Sequence, residues 1–136
     1  MATLTRLTTM VFTAALLAAC TPLPPISKQD AATEATLLKF AGPPIDSFTY
    51  LGRYDGFRTL GDKQVVLFTT INDAYLIRVR DPCINLRYAN TVGLTSSDRT
   101  VNRAFDFVLS DHQRCRIDTI RHIDYAAMKR ARGADS

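Results

Sequence analysis

Tryptophan is absent from the 136 residues, histidine occurs twice and cysteine three times. Two histidines and three cysteines leave little material for metal clusters, and no His-x-x-x-His or Cys-x-x-Cys spacing is present. The six glycines are scattered, so no glycine-rich phosphate loop is expected. A Gly-x-Ser-x-Gly elbow is missing too, which removes a common serine-hydrolase signature. Long apolar runs are scarce. Only one occurs, near the start, and a mean hydropathy of -0.04 excludes a chain of several membrane-spanning helices. Neither sign of charge dominates: 17 Lys and Arg stand against 13 Asp and Glu, for a formal net charge of +4. That is a mild attraction to anionic partners, spread along the chain rather than gathered. What is plentiful is apolar side chain, 46% of the total, enough to bury the core of one domain.

The first twenty residues carry the strongest local signal. Arg6 gives a short positive start, Leu7 to Ala19 is uncharged and rich in Leu, Ala, Val and Phe, and the run ends in Leu17-Ala18-Ala19-Cys20. This order describes a secretory signal peptide, and the run is too short and threonine-rich for a spanning helix. Leu-Ala-Ala-Cys resembles the lipobox of bacterial lipoproteins. The resemblance implies that diacylglycerol joins the Cys20 thiol, that the peptide 1–19 is removed, and that the new amino terminus is acylated, with palmitate a typical chain. Each buried CH₂ contributes about 0.8 kcal/mol, so such chains moor a protein firmly to a bilayer. Thr21 rather than aspartate follows the cysteine. In the sorting rule of Gram-negative lipoproteins this favours the outer membrane, facing the periplasm. The competing reading is an ordinary cleaved signal peptide with Cys20 a spare thiol.

Pro22, Pro24, Pro25, Pro43 and Pro44 frame residues 20–44, which read as a lipidated tether with one or two helical turns over Asp30–Phe40. Strand periodicity begins at Ile45. The runs Ser47–Tyr54, Gln64–Thr70, Ala74–Arg80, Val101–Leu109 and Cys115–Ile123 alternate or cluster β-formers, with turns at Gly61-Asp62 and Asn72-Asp73. Asp124 is placed to cap a short helix beginning at Tyr125 and stopped by Gly133. Residues 45–128 are therefore expected to form the globular domain and 129–136 a tail. The fold class is mainly β, with α+β as the alternative: a small antiparallel barrel or curled sheet of five to six strands with a short C-terminal helix. Tyr50, Tyr54, Phe57 and Phe68 read as core rather than as a ligand box.

With Cys20 lipidated, Cys83 and Cys115 remain. In an oxidising compartment they are expected to pair as a structural disulfide, closing a loop of about 33 residues. A redox-active pair is the alternative, at a spacing unlike the usual motif. Asp111-His112 and His122-x-Asp124 set carboxylates near both imidazoles, as acid–base catalysis needs, but no nucleophile accompanies them. Arg78 and Arg80, and separately Arg114 and Arg116, stand two apart, so each pair projects from one strand face as a candidate anion-binding site. Export turns that site away from nucleic acid and toward lipid phosphates or glycan carboxylates.

Beyond the leader, one order of residues spans most of the domain. It runs Asp46-Ser47-Phe48, Gly56-Phe57, QVVLFTT, AYLIRV to Cys83, Leu86, TVGLTS from Thr91, Phe105-Asp106, and Cys115-Arg116-Ile117 with Ile120, Ile123 and Asp124. It resembles a domain-of-unknown-function family of short lipoproteins from Gram-negative bacteria. Phe57 departs from the tryptophan common there. The resemblance implies an exported domain with its two cysteines bonded and supplies no activity, cofactor or catalytic residue. The expected function is a lipid-anchored, non-catalytic binding or structural role in the cell envelope, toward an envelope protein or anionic glycan. The alternatives are a small envelope hydrolase or enzyme inhibitor using His112 or His122, and a carrier of a small apolar ligand within the barrel.

Overall fold

The β-branched and aromatic runs pair as antiparallel hairpins in the computed structural model, which describes residues 26–111 and 113–135. Helix α1 (Lys28–Lys39) leads into β1 (Ala41–Ile45), β2 (Ser47–Thr49), β3 (Gly56–Leu60), β4 (Gln64–Phe68) and β5 (Asp73–Val79). A 3-10 turn (Leu86–Tyr88), β6 (Val92–Leu94), β7 (Thr100–Asn102), β8 (Phe107–Ser110), β9 (Gln113–Asp124) and α2 (Tyr125–Ala134) follow. Six strands run in the order β3-β4-β5-β9-β8-β6, and β1 adds to β9 beside this path. β2 and β7 form a separate pair. The result is the expected curled antiparallel sheet, half a barrel, with a short C-terminal helix.

The twelve-residue β9 organises the molecule. One edge pairs with β5; the other pairs with β8 through Gln113–Arg116 and with β1 through Ile120–Ile123. Against β5 the register skips at Asp118: Val79 opposes Ile117, whereas Arg78 opposes Thr119. This β-bulge changes which parity of β9 faces inward. Cys115 and Ile117 before it, and Ile120 after it, all join the core inside the curl, with Val65, Leu67, Ile77, Phe48 and Tyr50. Ile123 instead joins a second core on the outer face, with Leu60, Val66, Ala74 and Leu76. Leu37 of α1 and Met128 of α2 cover that second core.

Four boundaries differ from the sequence reading. Residues 28–44, expected within the tether, form α1 and all of β1 but its last residue. Ser27 caps α1 by accepting from the Asp30 amide at 3.0 Å, and Pro43 and Pro44 fall where the β1–β9 register breaks, a place where a missing N–H costs little. Only Ser47–Thr49 of the run Ser47–Tyr54 is strand. The run Val101–Leu109 is two strands, because Asp106 accepts from the Asn102 amide at 2.7 Å and closes a turn between them. Finally, α2 continues through Gly133 to Ala134 and takes in most of the expected tail.

Candidate functional site

Cys83, in the loop after β5, and Cys115, on β9, are disulfide-bonded across a Cα separation of 5.5 Å. Both are buried against the inner core, which suits a structural cross-link better than exchange with a redox partner. Cys20, the leader 1–19 and tether residues 21–25 lie outside the described residues, as does His112.

The four candidate arginines divide. Arg114 and Arg116 project from the outer face of β9, across the ladder from Leu109 and Phe107 of β8. Their guanidinium carbons lie 4.5 and 5.7 Å from the centroid of the Phe107 ring, so one aromatic ring is shared by two cations. Arg80 is beside them: its amide donates to the Arg116 carbonyl at 2.8 Å, and its Nε lies 3.5 Å from an Asp118 oxygen. The alternation of β8 sends Phe107 and Leu109 to the same side, and Leu109 is 36% exposed. This face thus joins guanidinium donors to exposed apolar surface.

Arg78 faces elsewhere, into a groove of about 540 Å³ bordered by Ile26 and Glu34, by the β3–β4 turn, and by the loop from Asp81 to Asn85. Its floor includes Gln64, the cross-strand neighbour of Arg78. Gln64 Nε2 donates to Glu34 at 2.7 Å, while its buried Oε1 has no hydrogen-bond partner. On the groove wall Arg87 pairs with Asp62 at 2.7 Å; that hydrogen bond raises the guanidinium's already high pKa, against the opposing effect of burial. Lys63 pairs with Asp81 at 2.8 Å.

His122 meets a carboxylate, but not the one nearest in sequence. Its Nε2 lies 2.9 Å from Asp73, and its ring stands edge-on to Tyr75 at 5.3 Å. Asp124 is engaged otherwise, accepting from the Ala127 amide at 2.8 Å to cap α2. Tyr75 in turn stacks on Phe48 at 3.9 Å. Burial raises the pKa of Tyr75, and the nearby Asp73 charge adds to the shift. The sequence could not reveal the Asp73–His122 contact, which spans 49 positions. Nor did it single out Phe107 as the arginines' seat. Gln64 did leave a trace, as a polar residue in phase with Val66 and Phe68.

These features define a small, disulfide-cross-linked β half-barrel with helices packed on its outer face. The chain belongs to a family of unknown function, DUF6491, whose model matches residues 3–136. No curated protein and no solved structure matches it.

Proposed function

We propose that this is a lipid-anchored envelope protein, held at the outer membrane facing the periplasm through Cys20, with a non-catalytic binding role. Its partner is an anionic envelope component, glycan or protein, met by the outer face of β8 and β9. The observation that carries the reading is the seating of Arg114 and Arg116 over Phe107. A ring within 6 Å of both guanidinium groups holds them close together on one strand face. That arrangement suits forked hydrogen bonding to phosphate or carboxylate. Exposed Leu109, opposite Arg114 in the ladder, supplies apolar contact beside it.

The catalytic and carrier alternatives have less support. The described contacts of His122 are with Asp73 and Tyr75, which orients an imidazole without giving it a nucleophile to activate. The inside of the curl is filled by Phe48, Tyr50, Val65, Leu67 and Ile77, and the groove that holds Arg78 meets that core only at Cys83.

Metabolic labelling with palmitate, followed by fractionation, tests the anchor: the wild type should be labelled and sediment with membranes, and Cys20→Ala should be unlabelled and soluble. Crosslinking in intact envelopes tests the face: an Arg114→Ala/Arg116→Ala variant should stay on the membrane yet lose about tenfold or more of its crosslinked partner. An unlabelled wild type would overturn the anchor, and an unchanged crosslink pattern would overturn the face.

A further inference from the structure

The groove beside α1 is close to electrically balanced, and its balance has a gap. It is bordered by Glu34, Asp62 and Asp81, and by Lys63, Arg78 and Arg87. Lys63 is joined to Asp81 and Arg87 to Asp62. One carboxylate and one guanidinium are left over, Glu34 and Arg78, and no ion pair joins them. Gln64 connects the two: it bonds Glu34 through its amide nitrogen and sits opposite Arg78 in the β4–β5 ladder. The amide oxygen of Gln64, a residue only 8% exposed, accepts nothing. A buried acceptor without a donor is uncommon, because its lost hydration is not replaced. Ile26, Leu60, Pro82 and Ile84 add apolar wall to the same groove.

We infer that this groove binds a small zwitterion in which a primary ammonium is joined to a carboxylate or phosphate. The ammonium sits against Glu34 and Gln64, and the acid group sits on Arg78. An ammonium has three donors and no acceptor. It satisfies the Glu34 carboxylate and, once the Gln64 side chain swings into the groove, the Gln64 oxygen, while Gln64 Nε2 exchanges Glu34 for the ligand's acid group. Arg78 offers a planar fork of donors that fits either acid. A lone anion would meet the Glu34 charge and a lone cation the Arg78 charge, so linked groups of both signs are favoured over either alone. The site is separate from the β8–β9 face and does not depend on the envelope reading. Two sources share this chemistry: an amino acid or dipeptide bound whole, and a phosphoethanolamine headgroup.

The test is a titration of the full-length, ¹⁵N-labelled protein in detergent, read by NMR at the Gln64 side-chain amide and the Arg78 Nε. The probes are alanyl-alanine and O-phosphoethanolamine, with acetate, inorganic phosphate and ethylammonium as single-charge controls. Saturable shifts are expected for at least one zwitterion, at least tenfold tighter than for the controls, and the tighter probe identifies the source. Arg78→Met and Glu34→Gln should each weaken it by about tenfold or more. Neither residue belongs to the buried cores, and an unchanged dispersion of the other amide signals checks that each variant folds. Absence of saturation with both zwitterions overturns the inference. So does equal affinity for acetate or phosphate alone, or binding indifferent to both substitutions.

Discussion

Tyr50 and Tyr75 show how single side chains couple this core to solution conditions. Tyr50 is 5% exposed, and burial pushes its phenol above the ordinary value of 10.0, with the neighbouring Tyr54 adding to the shift. Tyr75 is raised in the same direction, chiefly by burial. The unfolded chain therefore gives up these protons first as pH rises. Above about pH 10 the folded state binds more protons than the unfolded state, and stability falls with further increase in pH. Urea melts between pH 8 and 12 should show a plateau and then a decline, and Tyr50→Phe should make the decline shallower. At this scale much was legible: Tyr50, Tyr54 and Phe57 read as core from sequence and are packed at the inner core. The partner of His122 was not, because proximity in sequence pointed to Asp124 while the β5–β9 register delivers Asp73.

At the scale of elements, local chemistry was readable wherever one residue decides a boundary. Asp124 ends β9 and caps α2 through the Ala127 amide, as its position before Tyr125 predicts. Asp124→Ala should lower stability by about 1 kcal/mol in chemical denaturation, and Asp124→Asn, which keeps an acceptor at the cap, should restore most of it. Boundaries set by distant partners were harder. Val101–Leu109 has the composition of one strand, yet the Asp106 carboxylate binds both the Asn102 amide and the Thr95 hydroxyl and divides the run in two. Without Thr95 in place, nothing in the run itself announces that break. The prolines at 43 and 44 misled in the opposite direction. Their composition speaks for a tether, but an edge strand with a broken register accommodates them.

For the molecule as a whole, the inner core and the curl followed from the alternating runs, whereas the second core did not. Its cover comes from Leu37 and Met128, one from a segment read as tether and the other from the final helix. A sheet with a second apolar face invites such cover, but only the assembled register shows which strands present it. The disulfide acts at this scale too. It joins the loop after β5 to β9 across 32 positions, and constraining a loop of about 33 residues contributes about 3.7 kcal/mol in the chain-entropy model. For a domain of this size that is a large share of the net stability. Urea unfolding of a Cys83→Ala/Cys115→Ala variant should show a loss of about 2–4 kcal/mol with no gross change in strand content by circular dichroism.

The skipped register at Asp118 sets how β9 would respond to losing a codon. Deleting Asp118 itself would keep Ile117 opposite Val79 and Thr119 opposite Arg78, so every remaining side chain would keep its side, and only the bend and the Asp118 contact with Arg80 would be lost. Deleting Thr119 would leave Asp118 to oppose Arg78 in its place and would also be accommodated by straightening. Deleting a residue farther along, between Ile120 and Ile123, would turn part of the strand over and drive Arg121 or Asp124 toward apolar ground. The irregularity is thus a small zone of tolerance to shortening in a strand that otherwise has none.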